Sequence, residues 1–132
     1  MLQLEGEITN GDVHVISRGN ADQQILNNSD QLSSADAVSF NGDDPVGLFK
    51  NNNLIDVFGY FNEENNYANS TYVRNESIVN PNINFDIEEW IYYPNNTFEF
   101  IGFHNQNLSL EENIFTDITV SYTHLRAHET FA

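Results

Sequence analysis

Cysteine is absent from the 132 residues. No disulfide framework, thiolate metal site or cysteine nucleophile is therefore available, and stability has to come from packing. Basic residues are nearly as scarce. Four Lys and Arg stand against 20 Asp and Glu, for a formal charge of -16 and a pI near 4.1. Only Arg18, Lys50 and Arg74 occur in the first 118 residues. A field of that sign repels phosphate backbones, and three dispersed cations neutralise few phosphates, so direct nucleic-acid binding is not expected. Its simplest use is a solvated, soluble surface. Long apolar runs are missing too. Nothing approaches the roughly 20 residues of a helical membrane span, and Met1-Leu2-Gln3-Leu4-Glu5 has neither the basic start nor the apolar middle of a signal peptide. Membrane insertion is not expected. The catalytic signatures GxSxG, GxGxxG, the P-loop and HExxH do not occur.

What is present is β-forming. A chain of this length supports one domain, burying roughly 65% of its unfolded surface. Its centre is Phe40 to Phe61, FNGDDPVGLFKNNNLIDVFGYF. A turn cluster, Asn41-Gly42-Asp43-Asp44-Pro45, precedes two apolar runs, Val46 to Phe49 and Leu54 to Phe58, parted by Lys50 and three asparagines. That pattern predicts a β-hairpin. Period-two alternation makes Val46, Leu48, Ile55 and Val57 the inward set, turns Asp56 outward as a solvent-facing or cross-strand acid, and puts Asn52-Asn53 at the tip, because Asn tolerates positive φ.

Upstream, Leu2, Leu4 and Ile8 alternate with polar residues. An Asn-Gly turn at Thr9-Asn10-Gly11-Asp12 follows, then Val13 and Val15, and together these predict a first hairpin. Asn20 with Gln23 reads as a capping box for a short helix over Ala21 to Leu26. Downstream, Asn62 to Ser70 reads as a loop and Thr71 to Arg74 as a strand. Among so many carboxylates, Arg74 is expected in a structural ion pair and not in an anion site. Trp90, the only tryptophan, is expected in the core, the alternative being a sugar-stacking platform. Asn96-Thr97 is expected to cap a single turn carrying Phe98 and Ile101, which Gly102 stops.

Two of these stretches carry a family resemblance. NGDDPVGLFKNNNLIDVFG, with Gly59 at its end, resembles the signature hairpin of the lamin tail domain. NFDIEEWIYYPNNTFEFIGFH resembles the closing segment of the same family, in which a Trp strand, a proline and a Thr-Phe turn end in Gly-x-His, here Gly102 to His104. LEGEITNGDVHVISRGNADQQIL and YVRNESIV are similar to the elements that flank the hairpin. The resemblance implies an all-β, immunoglobulin-like β-sandwich over residues 1–104 that lacks the family's N-terminal strand. In it His104 would be a capping or hydrogen-bonding residue.

The resemblance further implies a noncatalytic accessory binding or spacer module of a larger secreted or cell-surface protein, of the kind found in Bacteroidota. Its partners would be the other domains of the parent protein and a surface glycan or protein. The rival readings are the tail fragment of an extracellular hydrolase such as a nuclease, or a calcium-dependent adhesive module. Asp43 and Asp44 are the only calcium candidates, although their spacing is not that of an EF-hand, and a hydrogen-bonded turn explains them as well. No other cofactor is implied. The acid pairs Glu63-Glu64, Glu88-Glu89 and Glu111-Glu112 do not by themselves place two carboxylates across a cleft, because adjacent strand residues point to opposite faces.

Residues 105–118 read as a linker that ends in IFTDI, which is similar to the first strand of a type IX secretion sorting domain. Residues 119–132 hold VSYTHLRAHET, Val120 to Thr130, which matches a translated transposase-type sequencing adapter. The natural protein is therefore expected to end near Ile118, its sorting domain lost by truncation. His124, Arg126 and His128 are expected to carry no chemistry.

Overall fold

In the computed structural model, residues 1–104, 112–114 and 118–121 are described. Ten short strands dominate. They are β1 (Leu2–Gln3), β2 (Glu7–Thr9), β3 (Ile16–Ser17), β4 (Gln31–Leu32), β5 (Val46–Lys50), β6 (Asn53–Phe58), β7 (Ser70–Arg74), β8 (Trp90–Pro94), β9 (Glu112–Ile114) and β10 (Ile118–Ser121). Among the described residues the one α-helix, α1 (Gln23–Leu26), is a single turn, and two 3-10 turns lie at Asp36–Val38 and Ile87–Glu89. The fold is all-β. Among the described residues no helix is long and apolar enough to cross a membrane.

The principal sheet runs β1-β10-β5-β6, antiparallel throughout. Three two-stranded pairs accompany it: β2 with β9, β3 with β4 in parallel, and β7 with β8. The central hairpin β5–β6 forms as its sequence predicts, with one change at the tip. Lys50 pairs with Asn53, so the two-residue loop is Asn51-Asn52 and not Asn52-Asn53. Both loop residues have positive φ, 50° and 63°, as a loop with a primed turn requires.

Two further expectations fail upstream. The Asn-Gly turn is present, with the Asp12 N–H donating to the Thr9 carbonyl at 2.9 Å, but it closes no hairpin. β2 pairs with β9, β1 pairs with β10, and the chain after Val15 enters the parallel pair β3–β4. The helix cap is Asp22 and not Asn20: the Asp22 carboxylate accepts from the Gln24 N–H at 2.8 Å. The partners of β1, β2 and β5 thus include strands from beyond residue 104. β9 and β10 come from the stretches read as linker and tail, and Ile118 is the first residue of β10. Of IFTDI, residues 115–117 lie outside the described residues, as do Glu111, His124, Arg126 and His128.

One apolar cluster sits on the principal sheet. Leu2, Leu4, Ala37, Val46 and Val120 are buried together, with Ile16, Ala35, Val38 and Leu48 packed against them. Val120 is 4% exposed. Its neighbours across the ladder are Leu2 on β1 and Leu48 on β5, so the middle of β10 supplies the link between the first strand and the central hairpin.

Candidate functional site

Across the β5–β6 pair the register shifts between Leu48 and Phe49: Phe49 stands opposite Leu54, whereas Leu48 stands opposite Asp56. Ile55 is the extra residue of a β-bulge. One inserted residue exchanges the two faces of everything beyond it. Val46 and Leu48 therefore face the same way as Phe58 and Asp56, not as Val57 and Ile55. Val57 is buried as expected, at 1% exposure, and Ile55 is half-buried, so both faces of β6 are covered at Val57 and Phe58; Asp56 is neither outward nor solvent-facing, at 6% exposure.

The face that the bulge brings inward is met by the hairpin β7–β8. There Arg74 pairs with Trp90 and Tyr72 with Tyr92 across the ladder. The Asp56 Oδ1 accepts from the Val57 N–H, the Asn82 N–H and Arg74 Nη2, each at 3.0 Å, and Oδ2 accepts from Arg74 Nη1. Arg74 Nη2 also donates to Glu89 Oε2 at 2.9 Å, and the other Glu89 oxygen accepts from the Asn82 side-chain amide at 3.1 Å. The Glu89 carbonyl accepts from the Asn75 N–H at 2.8 Å. Six residues from β6, β7, the loop after β7 and the 3-10 turn before β8 are thus joined in one network. Burial works against the Arg74 charge, but the hydrogen bonds and charges of Asp56 and Glu89 outweigh it and raise its pKa above the ordinary guanidinium value.

The Arg74 guanidinium also lies over the Trp90 ring, 4.9 Å from its centroid, a cation–π contact that desolvation strengthens. Through Trp90 the network adjoins an aromatic cluster. The Phe58 ring is in contact with Tyr67, Tyr72, Phe85 and Trp90 at centroid distances of 5.1, 5.3, 5.0 and 4.8 Å. Most of these pairs meet edge to face, as ring quadrupoles favour. Trp90 is 8% exposed and is a core residue, so its ring is not presented for stacking on a sugar. Burial pushes the Tyr67 phenol up from 10.0 to about 12, with Tyr60, Tyr72 and Glu63 adding to the shift, and it raises Tyr72 as well.

The signature turn has its own geometry. Gly42 is buried with φ +88°, and a Cβ there would stand 2.3 Å from the Ala68 backbone nitrogen. Its carbonyl accepts from the Tyr67 N–H at 2.9 Å. Gly59, at φ +102°, would place a Cβ 2.9 Å from the Cα of Pro45. Both positions need glycine for conformation and for space together. Asn65, also buried, clamps the next loop by accepting from the Tyr60 N–H at 2.8 Å and donating to the Tyr60 carbonyl at 2.9 Å.

The remaining expected residues lie elsewhere. Asn41 and Asp43 are exposed and Asp44 is half-buried. Among the described residues no group of three or more His, Cys, Asp or Glu side chains could hold a metal ion. His104 Nε2 donates to the Ile78 carbonyl at 2.9 Å, fastening the end of the described segment to the loop after β7. Phe98 and Ile101 form one hydrogen-bonded turn at 3.3 Å without becoming helical, and Gly102 follows at φ +93°. Glu89 and Asn82 were missed by sequence reasoning. The available signal was Arg74 itself, since one of three basic residues in an apolar strand needs more than one acceptor.

The arrangement binds and orients its own groups. Each Asp56, Glu89 and Asn82 contact named above is made to another part of the same network. No family model, curated protein or solved structure matches this chain.

Proposed function

We propose that this chain is a noncatalytic immunoglobulin-like module of the lamin tail type, serving as an accessory binding or spacer unit of a larger secreted or cell-surface protein. The observation that carries the reading is the Asp56–Arg74–Glu89 network. The side chains best suited to acid–base work are drawn together only to join β6 to the β7–β8 hairpin. Catalysis calls for a group held within reach of a substrate proton, and here the carboxylate oxygens are already occupied by Arg74, Asn82 and backbone N–H groups. The two resemblance stretches supply buried packing residues, Gly42, Gly59 and Trp90, and the flanking strand supplies Arg74. A dense negative charge suits a module that stays soluble beside neighbouring domains.

The test is an activity screen of the purified chain on duplex DNA, polysaccharide and ester substrates, run beside Glu89→Gln. No turnover is expected. Turnover that vanishes in a folded Glu89→Gln variant would overturn the proposal and favour the hydrolase reading. A calcium titration read by melting temperature separates the adhesive reading: no upward shift is expected, and a saturable rise would favour it.

A further inference from the structure

Residues 75–104 contain five carboxylates, Glu76, Asp86, Glu88, Glu89 and Glu99, and neither Lys nor Arg. The same stretch holds five of the eight large hydrophobic residues that are exposed among the described ones: Val79, Ile83, Ile91, Tyr92 and Phe103. Single exposed apolar side chains are ordinary, so the question is whether these join into a patch. By alternation Ile91 and Tyr93 lie on the face of β8 opposite to Trp90. The Tyr93 ring meets Phe100 at 4.6 Å between centroids, and Phe100 meets Phe103 at 6.4 Å. His104, next in the chain, is fastened to the Ile78 carbonyl, which carries the strip on toward Val79. An apolar strip with Ile91, Phe103 and Val79 exposed therefore crosses a stretch of purely negative charge.

The outer edge of β8 is poorly suited to receive a further strand. Because the Asn75 N–H donates to the Glu89 carbonyl, Arg74 and Trp90 form a non-hydrogen-bonded pair, and Trp90, Tyr92 and Pro94 turn their backbone groups away from β7. The Trp90 N–H donates to the Ile87 carbonyl, Pro94 has no N–H, and the Pro94 carbonyl accepts from the Thr97 hydroxyl at 2.7 Å. A strand laid along that edge would lose a bond at each end. Docking here has to use the side chains of the strip.

The geometry points to this strip as the docking surface for a Lys- or Arg-bearing apolar segment of a partner protein, an inference that rests on the binding role proposed above and names its partner's chemistry. Glu88 and Glu99 are both exposed and flank Ile91 and Phe100 in the sequence. A segment whose apolar side chains cover Ile91 and Phe103 while its cations meet Glu88 and Glu99 satisfies the strip and its charge together. Other occupants match only half of it. A second copy brings the same cation-free stretch and a charge of -16, and nucleic acid or an anionic lipid surface meets the same repulsion.

The experiment titrates the full chain, labelled for amide NMR, with three synthetic peptides of one length: alternating Lys and Leu, alternating Glu and Leu, and alternating Lys and Ser. Saturable shifts centred on Ile91, Tyr93, Phe100 and Phe103 are expected with the Lys–Leu peptide alone. Phe103→Ser should weaken that binding about tenfold, as loss of an apolar anchor does, without lowering the melting temperature, because Phe103 is exposed. Leu32→Ser, at an exposed apolar residue of β4, should leave it unchanged. Equal binding of the Glu–Leu peptide would remove the charge argument, and equal binding of the Lys–Ser peptide would remove the apolar one. No binding, shifts centred elsewhere, or self-association in sedimentation that Phe103→Ser abolishes would also overturn the inference. A failure of this kind leaves the noncatalytic reading standing as a spacer, whereas turnover in the activity screen would remove that reading and leave the peptide result as measured.

Discussion

Replacing Asp56 by Asn tests the central network with the smallest change of shape. The substitution keeps Oδ1 and so keeps acceptors for the Val57 N–H, the Asn82 N–H and Arg74 Nη2. It replaces Oδ2, the acceptor for Arg74 Nη1, by an amide nitrogen that also donates. A charge-assisted hydrogen bond contributes roughly 1.5–3 kcal/mol, and removing one partner of a buried pair costs about 3–5 kcal/mol. Glu89 remains as a counter-charge at 2.9 Å, which points to the lower end, about 3 kcal/mol. For a domain of this size that lowers the melting temperature by roughly 10–20 °C. A thermodynamic cycle with Arg74→Met isolates the pair: once the guanidinium is gone, Asp56→Asn should cost much less, giving a coupling energy of about 2 kcal/mol. Denaturant unfolding of the four proteins is the assay. A loss below about 1 kcal/mol for Asp56→Asn, or additive single substitutions, would refute the view that this pair joins the hairpin to the sheet.

Trp90→Ala empties a site enclosed by Phe58 and Arg74 and should cost about 3–5 kcal/mol, read as loss of the cooperative unfolding transition; a variant with unchanged melting temperature would refute a core role. Gly42→Ala should destabilise strongly because both the positive φ and the Ala68 backbone oppose a Cβ, whereas Gly19→Ala, where nothing lies within 4 Å, should be tolerated in the same melting assay. Tyr67 predicts alkaline sensitivity: below pH 10 the phenol is neutral in both states and contributes nothing, but between pH 10 and about 12 only the unfolded phenol ionises, so stability falls as pH rises. Tyr67→Phe should flatten that slope in urea titrations taken across the same range, and an unchanged slope would remove Tyr67 as the cause. Val120→Asp should unfold the chain by placing a charge between Leu2 and Leu48, which circular dichroism would show; a folded Val120→Asp protein would mean that β10 is not part of the core.

The sequence alone determined the features whose causes are local. Two apolar runs around an asparagine turn specify the β5–β6 hairpin because turn and alternation lie within twenty residues of each other. The glycines at 42 and 59, the strand around Trp90 and the pairing of Arg74 with acid follow from residue chemistry. The tertiary structure decided the register. Counting by twos from the turn turns Asp56 outward, and only the bulge at Ile55, visible once β7–β8 is in place, brings it in. That choice is long-range: the exchanged faces let Asp56 meet Arg74 and Asn82 and let Phe58 meet Tyr67, Tyr72, Phe85 and Trp90, contacts separated by up to 32 residues in sequence. The partners of β1 and β2 were hidden for the same reason. An Asn-Gly turn advertises a hairpin, but a two-residue strand has too few ladder bonds to hold its neighbour, and pairing with β9 and β10 joins strands from the opposite end of the chain. Alternation tells a strand that it has two faces, and only the elements packed against it determine which face is buried.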